Sequence, residues 1–239
     1  MSGDALLGGD GRRRGIPPAR EALEIQALCD RVVARYAGAS RFARGFVRGK
    51  LLTDPATLAI LRQAAAAPFG SVADLGCGRG QLGLALLLAG RAERLLGLDM
   101  HAGKIAEAGR AAAGLPAEFR IADLATVAVP TCDTILLIDV LLQMPEAAQL
   151  RLLARVTQAA RRRILIRAFD PDSGWRARLG FAMERLGRRL RRDQVEIQPL
   201  PLPRLQGLLT EAGFAVTITP CWGRTPLPNV LLVAERPPA

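Results

Sequence analysis

The stretch VADLGCGRG, residues 72–80, decides how this chain folds. A short apolar run ends in Asp74-Leu75 and breaks into glycines at alternate positions, Gly76, Gly78 and Gly80, before the apolar QLGLALLLA (81–89) begins. Glycine is required where the backbone turns with positive φ or where a ligand must approach it closely. The pattern therefore predicts a strand over 71–75, a ligand-binding loop, and a helix from about Gln81 to Ala89. The dinucleotide fingerprint is G-x-G-x-x-G with a pyrophosphate on the helix N-terminus. This loop is G-x-G-x-G, with a carboxylate two residues ahead of it. A carboxylate repels a pyrophosphate and attracts an ammonium group, so the expected ligand carries positive charge here and no phosphate.

Outward from the loop, short apolar runs alternate with amphipathic stretches. RLLGLD (94–99), AEFRIAD (117–123), DTILLID (133–139) and RILIRAF (163–169) read as strands. Between them AGKIAEAGRAA (102–112) and AAQLRLLARVTQAA (147–160) read as helices. LPRLQGLLTEAGF (202–214) is a helix stopped by Gly213, and AVTITP and NVLLVAER are two closing strands. Continuous apolar strands separated by helices predict an α/β fold, a mostly parallel sheet covered on both faces. Upstream, 22–38 has apolar residues at helical spacing. RFARGFVRGKLLT reads as a basic, glycine-broken connection, and Asp54-Pro55 starts a second helix, with an acidic residue suited to the cap. The expected organisation is a loose tail over 1–20 and one domain over 21–239. That domain carries an N-terminal helical cap over 21–67 and a basic helical insertion over 170–200.

Two further carboxylates complete the ligand. Asp99 ends the second strand 21 residues after Gly78, where an acid grips a ribose diol. Asp123 ends the third strand and can accept from an exocyclic amine. Amine, ribose and adenine in a row describe S-adenosylmethionine.

VADLGCGRG, LGLDM, FRIADL and DTILLIDVLLQM together resemble the class I S-adenosylmethionine-dependent methyltransferases, from about Val72 to the C-terminus. The resemblance implies a doubly wound seven-stranded sheet of order 3-2-1-4-5-7-6 with the last strand antiparallel. It also implies that Asp74 meets the methionine amino group and that Gly76, Gly78 and Gly80 let the chain pass close to methionine and ribose. Asp99 then holds the ribose hydroxyls, Met100 lies against the adenine face, and Asp123 and Leu124 border its edge. Asp139 falls near the methyl group, as a cofactor contact and a candidate catalytic residue. His101 is a second catalytic candidate, weighed against a place on the adenine side or the surface. Tyr36, Arg48 and Lys50 are candidates for the methionine carboxylate or the acceptor.

Composition narrows the partners. Half of the 239 residues are hydrophobic and 23% are charged, the balance of a globular protein. The longest apolar runs fall short of the roughly 18–20 residues of a spanning helix. Cys29, Cys77, Cys132 and Cys221 are isolated and the chain has one histidine, which argues against a metal site or a disulfide framework and for a reduced, cytoplasmic protein. The net charge is +11, and residues 151–192 hold 13 arginines against Asp170, Asp172 and Glu184. In WRARLGFAMERLGRRLRR (175–192) the apolar residues fall at spacings of three and four within arginines, an expected basic amphipathic helix that fits an anionic partner, a lid role, or simple packing.

The residues after the fourth strand narrow the acceptor. IDVLLQMP has neither the Asn/Asp-Pro-Pro-aromatic motif of many base and glutamine methyltransferases nor a Pro-Cys nucleophile. It is closer to the small-molecule and lipid branch. RFARGFVRGKLLTDP resembles, more weakly, methyltransferases of bacterial aryl polyene clusters, which implies an aryl or acyl acceptor on a carrier protein. An RNA methyltransferase fits the arginines, but seven Phe, two Trp and one Tyr leave few stacking platforms. A non-catalytic protein that only binds S-adenosylmethionine is the third reading.

Overall fold

The computed structural model describes residues 19–172, 174, 175, 179, 198–222 and 227–237. The tail expected over 1–20 and the basic helix expected over 175–192 lie outside the described residues but for their edges. The strands are β1 (Ser71–Leu75), β2 (Arg94–Asp99), β3 (Ala117–Ile121), β4 (Cys132–Ile138), β5 (Ala160–Phe169), β6 (Ala215–Pro220) and β7 (Asn229–Glu235). They form one sheet of order β3-β2-β1-β4-β5-β7-β6. β7 runs antiparallel to both β5 and β6, and the pairs from β3 through β5 are parallel.

Both faces of the sheet are buried at its central strands β1, β4, β5 and β7, which is why those strands lack a polar alternation. Ile135 and Leu137, Ile164 and Ile166, and Leu232 and Ala234 face α6 (Glu146–Ala159) and α7 (Leu202–Glu211), whose Leu152, Val156, Leu205 and Leu209 share their core. The intervening Leu136, Leu165 and Leu231 face α3 (Pro55–Ala66) and α4 (Gln81–Leu88) through Ile60, Leu82 and Leu86. The remaining described α-helix in the sheet layers, α5 (Ala102–Ala111), follows β2. No helix among the described residues is long and apolar enough to cross a membrane.

The N-terminal cap is α1 (Ala19–Ala34) and α2 (Arg41–Thr53), packed on α4 through Val32, Val47, Leu51, Leu84 and Ala85. Here the structure corrects the sequence reading: RFARGFVRGKLLT is a continuous helix, not a connection. Ser40 caps it, its Oγ accepting from the Ala43 N–H at 3.1 Å. Gly45 and Gly49 cost about 1 kcal/mol each in a helix interior. Val47 and Leu51 contribute about 1.5–3 kcal/mol apiece when buried, and that term wins.

Candidate functional site

The site is built on the carboxyl ends of β2, β1 and β4. Past Leu75 the chain is pinned to β2, the N–H groups of Gly76 and Cys77 both donating to the Leu98 carbonyl at 2.7 and 3.0 Å. Gly76, Gly78 and Gly80 all have positive φ, at 79°, 57° and 74°. The space around them differs. A Cβ on Gly76 would lie 2.3 Å from Val140 Cγ2, and one on Gly80 would lie 2.5 Å from the Phe119 ring. A Cβ on Gly78 would meet nothing within 4 Å. Two of the glycines therefore serve packing, and the middle one faces open space. Gly76→Ala is expected to cost about 2–4 kcal/mol, combining a left-handed alanine with a clash against buried Val140. Gly78→Ala should cost only the backbone part, about 1–2 kcal/mol. Urea midpoints falling in that order, at constant m-value, are the check.

Asp74, next to last in β1, is buried, with no hydrogen bond or ion pair to its carboxylate among the described residues. Burial, and then the charge of Asp99, push its pKa up to about 7. Asp99 is buried too, and both its oxygens are engaged by backbone: Oδ2 accepts from the Gly78 N–H at 2.8 Å and Oδ1 from the His101 N–H at 2.9 Å. Each oxygen keeps a lone pair. The carboxylate thus ties the loop to the start of α5, with His101 at the helix N-cap position and exposed.

Past Asp99, Met100 is 69% exposed, and Ile121, the register partner of Asp99 on β3, is 61% exposed. These two apolar side chains flank an open shelf. Ile121 went unnoticed in the sequence, where FRI reads as ordinary strand; only its pairing with Asp99 places it here. Asp123 is exposed, with Oδ1 accepting from the Ala125 N–H at 2.8 Å, and Leu124 is half-buried against the core.

The N-terminal candidates separate. Buried Tyr36 donates from its hydroxyl to the Arg79 carbonyl at 2.5 Å, so it braces the glycine loop, and burial drives its pKa upward. Arg79 in turn pairs with Glu107 at 2.7 Å. Arg48 pairs with Asp30 at 2.7 Å on the exposed side. Lys50 alone reaches the carboxyl end of the sheet, 3.3 Å from Asp139.

Asp139 follows β4 directly and is the only described non-glycine residue with positive φ, 61°. Its carbonyl accepts from Gln143 Nε2, and its carboxylate meets both Lys50 and Arg167 of β5. Arg167 is buried and also holds Asp54, 3.0 Å away, which takes Thr57 Oγ1 at 3.0 Å as well. Asp54 occupies the N-cap position of α3, but its side chain makes no bond to the helix backbone. Neutralising a buried guanidinium outweighs the cap, because an unpaired buried charge is far costlier than a missing cap bond. Two carboxylates and two cations from four elements thus meet beside the loop.

An open cradle over Gly78, an unpartnered buried carboxylate at Asp74, an acid with spare lone pairs at Asp99 and an apolar shelf beyond it fit a ligand with an ammonium group, a diol and a flat ring. S-adenosylmethionine has those three parts. Residues 72–163 match the family model described as a methyltransferase domain. Over those residues the chain is similar to methyltransferase domains, and its sheet order is the one that the resemblance to class I S-adenosylmethionine-dependent methyltransferases implies.

Among solved structures, magnesium protoporphyrin IX methyltransferase from Synechocystis with bound S-adenosylhomocysteine is similar at 21% identity and a TM-score of 0.63, covering 87% of this chain and 94% of that one. The pyocyanin biosynthetic protein PhzM shows 22% identity and a TM-score of 0.62, over 85% of this chain and 61% of its own. Human N-acetylserotonin methyltransferase with S-adenosylmethionine shows 18% and 0.60, over 92% and 60%. At these identities the likeness is one of fold. No curated protein sequence matches the chain.

Proposed function

We propose that this protein transfers a methyl group from S-adenosylmethionine to a small-molecule, lipid-like or carrier-bound aryl or acyl acceptor. The observation that carries the cofactor half is Asp74: a buried carboxylate with no partner among the described residues, beside a backbone cradle open over Gly78. In this reading Asp74 holds the methionine ammonium, Asp99 the ribose diol, and Met100 and Ile121 cover the adenine. Asp123 and Leu124 stand at its edge. When bound, the cofactor supplies a methyl group on a sulfonium centre, already activated toward a nucleophile. The chain's contribution is then alignment and exclusion of water, with a base required only for a hydroxyl or similar acceptor that must lose a proton.

The small-molecule half is supported by DVLLQM after β4, which carries neither the Asn/Asp-Pro-Pro-aromatic motif nor a Pro-Cys nucleophile, and by the scarcity of aromatic residues for stacking. Proteins of similar fold are named for magnesium protoporphyrin IX, pyocyanin and N-acetylserotonin. The test is incubation with methyl-labelled S-adenosylmethionine and three acceptor pools: free hydroxyaryl and amino compounds, the same groups on acyl carrier protein, and RNA. Label is expected in the first or second pool. Label confined to RNA would sink the small-molecule reading.

A further inference from the structure

The charge cluster beside the loop is asymmetric in a way that assigns a role. Asp54 is spent: Oδ1 meets Arg167 Nη1 at 3.0 Å, and Oδ2 accepts from Thr57 Oγ1, Arg167 Nη1 and Lys50 Nζ at 3.0, 3.1 and 3.5 Å. It is also buried, its side chain 6% exposed. Asp139 differs. Both of its cations bind the same oxygen, Oδ2, Arg167 Nη1 at 3.1 Å and Lys50 Nζ at 3.3 Å. Oδ1 has no partner among the described residues, and the side chain is 36% exposed. The backbone at Asp139 is held at φ 61°, a conformation that costs a non-glycine residue of order 1–2 kcal/mol and persists only where its surroundings impose it. The next residue, Val140, lies against Gly76 of the cofactor loop. A strained turn and two cations thus hold a carboxylate with one unpartnered oxygen, one residue from the Val140 contact with the glycine loop.

We infer that Asp139 Oδ1 is the recognition point for the acceptor, which must offer it an O–H or N–H, and that Lys50, Arg167 and, through Arg167, Asp54 are positioning residues that aim it. This rests on the methyltransferase reading above and narrows it to hydroxyl or amine acceptors. With both cations on Oδ2, Oδ1 is left as a hydrogen-bond acceptor, so it selects a hydrogen-bond donor and turns away a carboxylate or an acceptor without a donor hydrogen. Arg167 does its part from a buried position, with Nη1 shared between both carboxylates and Nε unpartnered. Lysine keeps the charge there but cannot span two carboxylates from one fixed plane.

The experiment needs no identified acceptor. Sinefungin is an S-adenosylhomocysteine analogue that bears an amine where the methyl group stands in the cofactor, so it offers N–H donors to the acceptor side of the site. The ratio of its affinity to that of S-adenosylhomocysteine, read by calorimetry, reports Oδ1 separately from the rest of the cradle. The wild type is expected to favour sinefungin by about tenfold, the scale of one charge-assisted hydrogen bond. Asp139→Asn keeps the side-chain shape and suits positive φ, so it should fold normally. It is expected to abolish that preference while S-adenosylhomocysteine affinity stays within about threefold. Lys50→Gln, on the exposed rim, should reduce the preference partway. Arg167→Gln should remove most of it and Arg167→Lys restore part, provided thermal melts show both folded.

A sinefungin preference unchanged in Asp139→Asn overturns the proposal, as does a parallel loss of both ligands, which would make Asp139 merely structural. Failure of the wild type to bind S-adenosylhomocysteine at all is a different result. It overturns the methyltransferase reading, and this inference with it.

Discussion

Asp99→Ala is expected to weaken S-adenosylhomocysteine binding by at least a hundredfold, about 3 kcal/mol or more. The size follows from the number of tasks the carboxylate performs. It accepts the Gly78 N–H at 2.8 Å and the His101 N–H at 2.9 Å, and under the proposed function it also holds the ribose diol. Removing it takes the acceptor from two part-buried backbone donors and frees Gly78, the loop glycine whose Cβ direction is open. Folding stability should therefore fall as well. Asp99→Asn separates the effects, because its amide oxygen can still serve one backbone N–H while its amino group opposes the other. It is expected to lie between wild type and alanine in both stability and affinity. Calorimetric titration of all three proteins decides the matter. Retention of binding within threefold in Asp99→Ala, with the protein folded, would remove Asp99 from the cofactor site.

How much of this was legible in the sequence varied with the physics of each part. The central strands could be read because both of their faces are buried, so SVADL and RLLGLD are mostly apolar runs that carry an acid at or next to their carboxyl ends. The glycine loop was legible as a left-handed turn between strand and helix. Which glycine faces open space was not, since that depends on Val140 and Phe119, 64 and 39 residues from their respective partners Gly76 and Gly80. α2 was hidden by its two glycines: local propensity argued against a helix that Val47 and Leu51 stabilise only through tertiary burial. The charge cluster was the deepest omission. RILIRAF carries two arginines in an otherwise apolar strand, and the inner one, Arg167, needs a carboxylate somewhere. The sequence does not say where. Asp54 stands 113 positions away and looked like a helix cap, while Asp139, 28 positions away, looked like any strand end. Nothing in an aspartate's identity announces a left-handed backbone.

Asp74→Asn is expected to change the pH dependence of the protein and of its ligand binding in opposite ways. In the ligand-free fold Asp74 titrates near 7, raised from 3.8 chiefly by burial and then by Asp99. Between those two values the native state binds a proton that the unfolded chain has released. Stability from this group is therefore fully present below about pH 4, declines as pH rises toward 7, and is level above it. The total loss is of order 4 kcal/mol. Asparagine has no charge to desolvate, so Asp74→Asn should melt higher than wild type at pH 8 and much like it at pH 4. A bound ammonium group reverses the preference by favouring the carboxylate. At pH 6 about nine-tenths of the free wild-type sites carry the proton, so S-adenosylhomocysteine binding should release nearly one proton there and almost none at pH 8.5. Calorimetry in two buffers of different ionisation enthalpy measures that number directly. Asp74→Asn should release none at either pH, and its affinity at pH 8 should fall by about ten- to a hundredfold through loss of the ion pair. The variant would then be the more stable protein and the poorer binder. That is the signature of a carboxylate kept unpaired in the free fold for a cation the chain itself does not supply. Equal proton release in wild type and variant would place the titrating group elsewhere and take Asp74 out of the site.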